Sequence, residues 1–105
     1  MITAGEGKHK VWLDKIELEH GIVYVLGGGG RSHIGGAVYA EPGEGEKVIK
    51  LEDHRDLEVL IPIAREASAK YGLPVLATGG IHIDNATKEE IEHIVKNCKE
   101  LLKCI

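Results

Sequence analysis

Three histidines and one glycine-rich stretch are the residues whose types and placing could do chemistry. His33 follows Gly27–Gly30 with Arg31 and Ser32 between them, His54 sits in Asp53-His54-Arg55-Asp56, and His82 lies between Gly79-Gly80 and Asp84. The chain carries six histidines in 105 residues. His9, His20 and His93 fall on a tail, a turn and a helix flank, where nothing singles them out. The other three stand at element boundaries, where a fixed strand or helix aims a side chain into a cleft. An imidazole near neutral pH either ligates a metal or exchanges protons and hydrogen bonds with a ligand. Separations of 21 and 28 residues match no metal-ligand spacing. A metal held by His33, His54 and His82, bare imidazoles around a ligand, and chance scatter therefore all stay open. Asp53, Asp56 and Asp84 are candidates to orient the imidazoles, although Asp56 could equally cap a helix and Asp84 serve a turn.

The glycine stretch has six glycines in the ten residues from Gly27 to Gly36, a composition that costs backbone entropy on folding. Unpaired N–H groups at Gly28, Gly29 and Gly30 would form a concave anion site, with Arg31 adding charge and Ser32 a hydroxyl. That describes the wall of a site for a phosphate-bearing small molecule; the alternative is a wide glycine-rich hairpin. Familiar signatures fail here. A G-x-G-x-x-G register would need glycine where His33 stands, and the lysine of a nucleotide phosphate loop is absent. No helix follows, so a helix N-terminus is available only at the second helix, beside Asp84-Asn85. There is no G-x-S-x-G, and Ser32 beside His33 is too local a pair to be a catalytic dyad.

The elements that must position these residues follow from the hydrophobic period. Residues 1–8 are small and polar and are expected to fray. Lys10–Glu19 alternates, skipping near Asp14-Lys15 as a bulge would; His20-Gly21 is a turn and Ile22–Leu26 a second strand. Ala37–Ala40 and Val48–Leu51 are a third and a fourth strand, separated by Glu41-Pro-Gly-Glu-Gly-Glu46. Four hairpin-linked strands suggest an antiparallel meander. The period then changes to three and four: Leu57, Leu60, Ile61, Ala64, Ala67, Ser68 and Tyr71 share one helix face, with Asp56 a candidate N-cap and Gly72 a stop. Pro62 requires this helix either to bend or to begin near Ile61. Val75–Thr78 is wholly apolar and reads as a central strand. Thr87-Lys-Glu-Glu90 is a capping box opening a helix whose stripe holds Ile91, Ile94, Val95, Cys98, Leu101, Leu102 and Ile105. Cys98 reads as core, and the last turn is a candidate to dock on a second subunit. The order β-β-β-β-α-β-α gives an α+β fold, one mostly antiparallel mixed sheet with two helices on one face. The other face would be solvated or covered in a homodimer.

At 105 residues one domain, 1–105, is expected, with a core of Val, Ile, Leu and Ala because there is no Phe and a single Trp. A formal charge of −4 argues against dedicated binding to nucleic acid or an acidic membrane. No stretch has transmembrane length and Met1-Ile-Thr-Ala-Gly-Glu does not open as a signal peptide. Cys98 and Cys104 have no metal or redox spacing. A reduced, cytoplasmic setting is the expectation.

Ser32-His33-Ile34-Gly35, His54-Arg55-Asp56 and Thr78-Gly-Gly-Ile-His-Ile-Asp-Asn-Ala-Thr-Lys-Glu-Glu-Ile91 occur together in this order. With them the chain resembles the LpdD-like prenylated-flavin chaperone family, small proteins that accompany UbiD-type decarboxylases. The resemblance covers roughly Ile22 to the C-terminus. It implies a chaperone that binds prenylated FMN, assists its oxidation to the active iminium form and delivers it to the apo-decarboxylase. On that reading Gly28, Gly29, Gly30, Arg31 and Ser32 cradle the phosphate. His33, His54 and His82 meet the polar edge of the flavin, with Arg55 and Asp84 beside them. Trp12, Tyr24 and Tyr39 are the candidates to stack on the isoalloxazine, and each could equally be a core or dimer contact. A metal bridging phosphate and imidazoles stays open. The competing readings are a small metal-dependent enzyme using His33, His54 and His82, and a non-catalytic structural dimer module.

Overall fold

The computed structural model describes residues 1–51 and 55–105; Asp53 and His54 lie outside the described residues. Among the described residues there are six strands and two helices: β1 (Ile2–Ala4), a 3-10 turn (Gly7–His9), β2 (Val11–Leu18), β3 (Gly21–Gly28), β4 (Arg31–Ala40), β5 (Lys47–Lys50), α1 (Leu57–Tyr71), β6 (Val75–His82) and α2 (Lys88–Leu102). One sheet has the order β1-β2-β3-β6-β4-β5. Only β3 and β6 run parallel; the other neighbours are antiparallel. The expected α+β fold, a mostly antiparallel mixed sheet carrying two helices, is what the chain adopts.

The meander is not. β3 and β4 are separated in sequence by Gly29 and Gly30 alone, yet β6 lies between them in the sheet. The glycine pair arches over the end of β6, where Gly29 bridges His82 and the Gly30 N–H donates to the His82 carbonyl at 2.9 Å. Hairpin reasoning assumes that strands joined by a short turn pair with each other. Here the turn is held open by a strand that arrives about fifty residues later in the chain. The central placing read from the apolar run Val75–Thr78 holds, and β6 continues further, to His82. β4 likewise begins at Arg31 rather than Ala37, so the candidate loop is largely strand. Residues expected to fray instead pair: Ile2, Thr3 and Ala4 lie opposite Leu13, Trp12 and Val11.

One sheet face is the core. Val11 and Leu13 from β2, Ile22, Tyr24 and Leu26 from β3, and Val75 and Ala77 from β6 alternate onto it, and all are buried. Leu60, Ile63, Ala64 and Ala67 of α1 close it on one side. Cys98 and Leu101 of α2 close it on the other, so Cys98 is core, and burial pushes its thiol up to about 12. α1 runs through Pro62. The missing N–H costs only the helical bond to the carbonyl of Glu58, an exposed residue. The last turn of α2 is spent within the chain, since Leu101 and Ile105 pack in its own core.

The capping box is complete: Thr87 Oγ1 accepts from Glu90 N–H and Glu90 Oε1 accepts from Thr87 N–H, both at 3.1 Å. Glu90 Oε2 lies 2.6 Å from Lys8 Nζ and 3.3 Å from His9 Nε2, tying the start of α2 to the 3-10 turn. Lys8 first, then the Thr87 N–H, hold the Glu90 carboxyl down to about 2 from 4.5. A depressed carboxyl stabilises the fold above its unfolded pKa and loses that contribution as it protonates. Glu90→Gln is therefore expected to unfold more readily than wild type above about pH 4.5. The gap should close as pH falls towards about 2, measured by urea midpoints across that range.

Candidate functional site

The site is built around a break in the β4–β6 ladder. Ser32 pairs with Ile81 and the next registered pair is Gly36 with Gly79, so four positions on β4 answer two on β6. The bulge holds His33, Ile34 and Gly35, and a bulge of this kind re-aims a side chain off its alternation. His33 is thereby brought 3.3 Å from Asp56, Nε2 to Oδ2. Asp56 does not act as the expected helix cap, because its backbone is already helical and its carboxylate makes no capping bond. Its Oδ1 instead accepts the Ile81 N–H at 2.9 Å. That N–H sits in the disrupted part of the ladder and is satisfied by a side chain instead.

Two glycines are required by this arrangement. A Cβ at Gly35 would lie 2.0 Å from Asp56 Oδ2, and one at Gly80 would lie 2.8 Å from the His33 ring and 2.9 Å from Asp56 Oδ2. Any side chain there would evict the carboxylate or the imidazole. Gly79 answers a different need: φ is +111° and its Cβ would meet the Leu26 carbonyl of β3.

The N–H groups expected to be free for a phosphate are engaged. Gly28 donates to Ser32 Oγ at 3.0 Å, Gly29 to the Lys10 carbonyl at 3.0 Å and Gly30 to the His82 carbonyl at 2.9 Å. The run Gly28–Gly30 and Ser32 is thus a close-packed crossing rather than an anion cradle. Arg31 is exposed and pairs with Asp84 Oδ1 at 2.6 Å, and His82 Nε2 meets the same oxygen at 2.8 Å. A carboxylate only accepts, so Nε2 of His82 carries the proton in that contact. His82 first, and then Arg31, hold the Asp84 carboxyl below its usual range. Asn85 follows with φ +52°, a conformation asparagine tolerates, and turns the chain into α2.

His33 and His82 come together, their ring centroids 5.7 Å apart and tilted by 53°. Both line a cavity of about 310 Å³ between the start of α1, the end of β6 and the inner face of α2. Its wall is mostly apolar, with Ile81, Ile91, Ile94 and Val95 prominent and Cys98 at depth, while Asp56 and Arg55 supply polarity. His33, Arg55 and His82 therefore line one cavity, and Asp84 joins Arg31 to His82 beside it. His54 lies outside the described residues. Among the described residues no group of three or more His, Cys, Asp or Glu is placed to hold a metal; the expected set of His33, His54 and His82 includes a residue outside them. None of the stacking candidates lines this cavity: Tyr24 is buried in the core, Tyr39 donates to Glu41, and the Trp12 indole lies against Gly27. Asp56 takes the expected place beside an imidazole, whereas Ile91, Ile94, Val95 and Cys98 as the wall were missed as site residues. The signal for the wall was present in the stripe of α2, which is wider than one core contact needs.

The site thus combines a sheet bulge that turns an imidazole toward a nearly buried carboxylate with an adjoining apolar cavity. The sequence matches the prenylated flavin chaperone LpdD-like domain over residues 5–105, and the chain belongs to that family. No curated protein matches it. No helix of the described residues is long and apolar enough to cross a membrane.

Asp56→Ala leaves the Ile81 N–H without its acceptor, a loss of about 1–3 kcal/mol for a buried donor. Asp56→Asn keeps an acceptor oxygen and should restore part of that loss. Chemical denaturation of the two variants checks it. Equal destabilisation by both would mean that the charge, and not the Ile81 bond, carries the stability.

Proposed function

We propose that the chain carries prenylated FMN, with the ring system in the cavity lined by His33 and His82, and that it assists oxidative maturation and delivery of the cofactor to a UbiD-type decarboxylase. The observation that carries this reading is the meeting of two imidazoles at the mouth of an apolar cavity in a chain of this family. The fit is reasonable on size and chemistry. About 310 Å³ is near the lower bound of small-molecule pockets, a size that suits the fused ring system of the cofactor without its ribityl phosphate. Aliphatic side chains of β6 and α2 replace the missing aromatic floor. His33 and His82 offer hydrogen bonds to the polar edge of the ring, and Asp56 holds His33 in place. The redox chemistry is the cofactor's own; this chain's part is to bind, orient and exclude water.

His33→Ala with His82→Ala is expected to lower retention of prenylated FMN, read from the visible spectrum of protein produced beside a flavin prenyltransferase. It should also lower decarboxylase activity on co-production. Full maturation with the double variant would remove the support for this reading.

The second part of the proposal is a homodimer through the helix-free sheet face. Ile16, Val23, Leu76 and Tyr39 lie in one cross-strand row there. Ile16 is 50% exposed and Leu76 38%, with Ile49 further out at 65%. Burying such a row is worth about 25 cal/mol per Å² of apolar surface. Leu76→Lys should convert dimer to monomer in sedimentation equilibrium; a monomeric wild type would end this part of the proposal.

A further inference from the structure

The cleft does not stop at the cavity. A shallower groove continues from it along α2, sharing Arg55, Glu58, Ile91 and Val95 with the cavity wall. Its outer charged residues are Arg55, Lys88, Lys96 and Lys99, set against Glu58 and Glu92. Positions 88, 92, 96 and 99 recur on one face of a 3.6-residue helix, so the lysines form a stripe beside the opening. In a chain of net charge −4 this is a local excess of cations. Lys8, Lys15, Arg31, Arg65 and Lys103 are each spent on a carboxylate. Among the described residues, none of the four groove cations has an ion-pair partner.

We infer that this groove is the phosphate subsite of the cleft, taking the terminal phosphomonoester of a mononucleotide whose ring occupies the cavity. The inference rests on the reading of the cavity as a flavin pocket and deepens it. Elimination supports it as well as charge. The N–H groups of Gly28, Gly29 and Gly30 are committed within the chain. At the start of α2, the Thr87 and Glu90 N–H groups are likewise committed to each other's side chains. Arg31 is already held by Asp84. Flexible lysines on a solvated helix face bind a dianion as point charges, without fixed geometry, and release it when salt screens them. A carrier that must give its cargo up is served by that kind of contact.

The test compares prenylated FMN with the same cofactor after phosphatase treatment, each titrated into the full chain by absorbance. Wild type should hold the phosphorylated form about tenfold more tightly, and less so as salt rises. Lys96→Gln with Lys99→Gln should abolish that preference and leave affinity for the dephosphorylated form unchanged; both lysines are exposed, and circular dichroism checks that the fold is intact. An undiminished preference in this variant overturns the inference while the cavity reading stands. Loss of the preference in Arg31→Gln instead would move the phosphate to the Asp84 side and overturn it equally. Normal cofactor affinity with failed decarboxylase maturation would make the stripe a protein contact and also overturn it. A wild type that binds neither form defeats the cavity reading together with this one.

Discussion

The carboxylate of Asp56 is the point on which fold and site both rest. A nearly buried carboxylate is costly unless its oxygens are satisfied. One oxygen takes the Ile81 N–H, and the other faces His33. To place it there, β4 must bulge away from β6, and the positions flanking the carboxylate must lack side chains. Gly35 and Gly80 meet that condition. The bulge then fixes where the His33 ring points, and α1 starts where Asp56 has to stand. Sheet geometry, helix start and imidazole orientation are consequently one constraint rather than three.

The edge of the cleft is held differently. Asp84 joins Arg31 of β4 to His82 of β6 through exposed contacts. Such pairs contribute little to stability and weaken with salt, whereas the Asp56 contact is shielded. The floor of the cleft is therefore held by a shielded contact and its rim by salt-sensitive ones.

Much of the fold was legible because its signals are local. The α2 capping box, the Gly72 stop and the core role of Cys98 follow from neighbours three or four residues away. What was not legible was non-local. Nothing in Gly27–Gly36 reveals that another strand passes beneath it, so the run looked like a turn with spare N–H groups. Asp56 read equally as a cap and as an acceptor for an imidazole; the amide that diverts it from capping, Ile81, is 25 residues away. His33 was read as a boundary residue but lies in a bulge inside β4, and its meeting with His82, at the end of β6, depends on a register shift that no periodicity encodes. The tyrosines and Trp12 were weighed by chemical type, but sheet alternation and the core placed them elsewhere.

The insertion of β6 between β3 and β4 also bears on how the chain reaches this state. The two strands on either side are made early and joined by two residues, yet they leave a slot that only a much later segment fills. Until Val75–His82 docks, neither strand has its inner neighbour and the Asp56 carboxylate has no amide to accept. High sequence separation between partners slows folding. During synthesis the open slot exposes two strand edges, which invites pairing with other chains. The glycines that keep the slot open carry almost no apolar surface of their own, which makes its rim a poor seed for aggregation while the last strand is awaited.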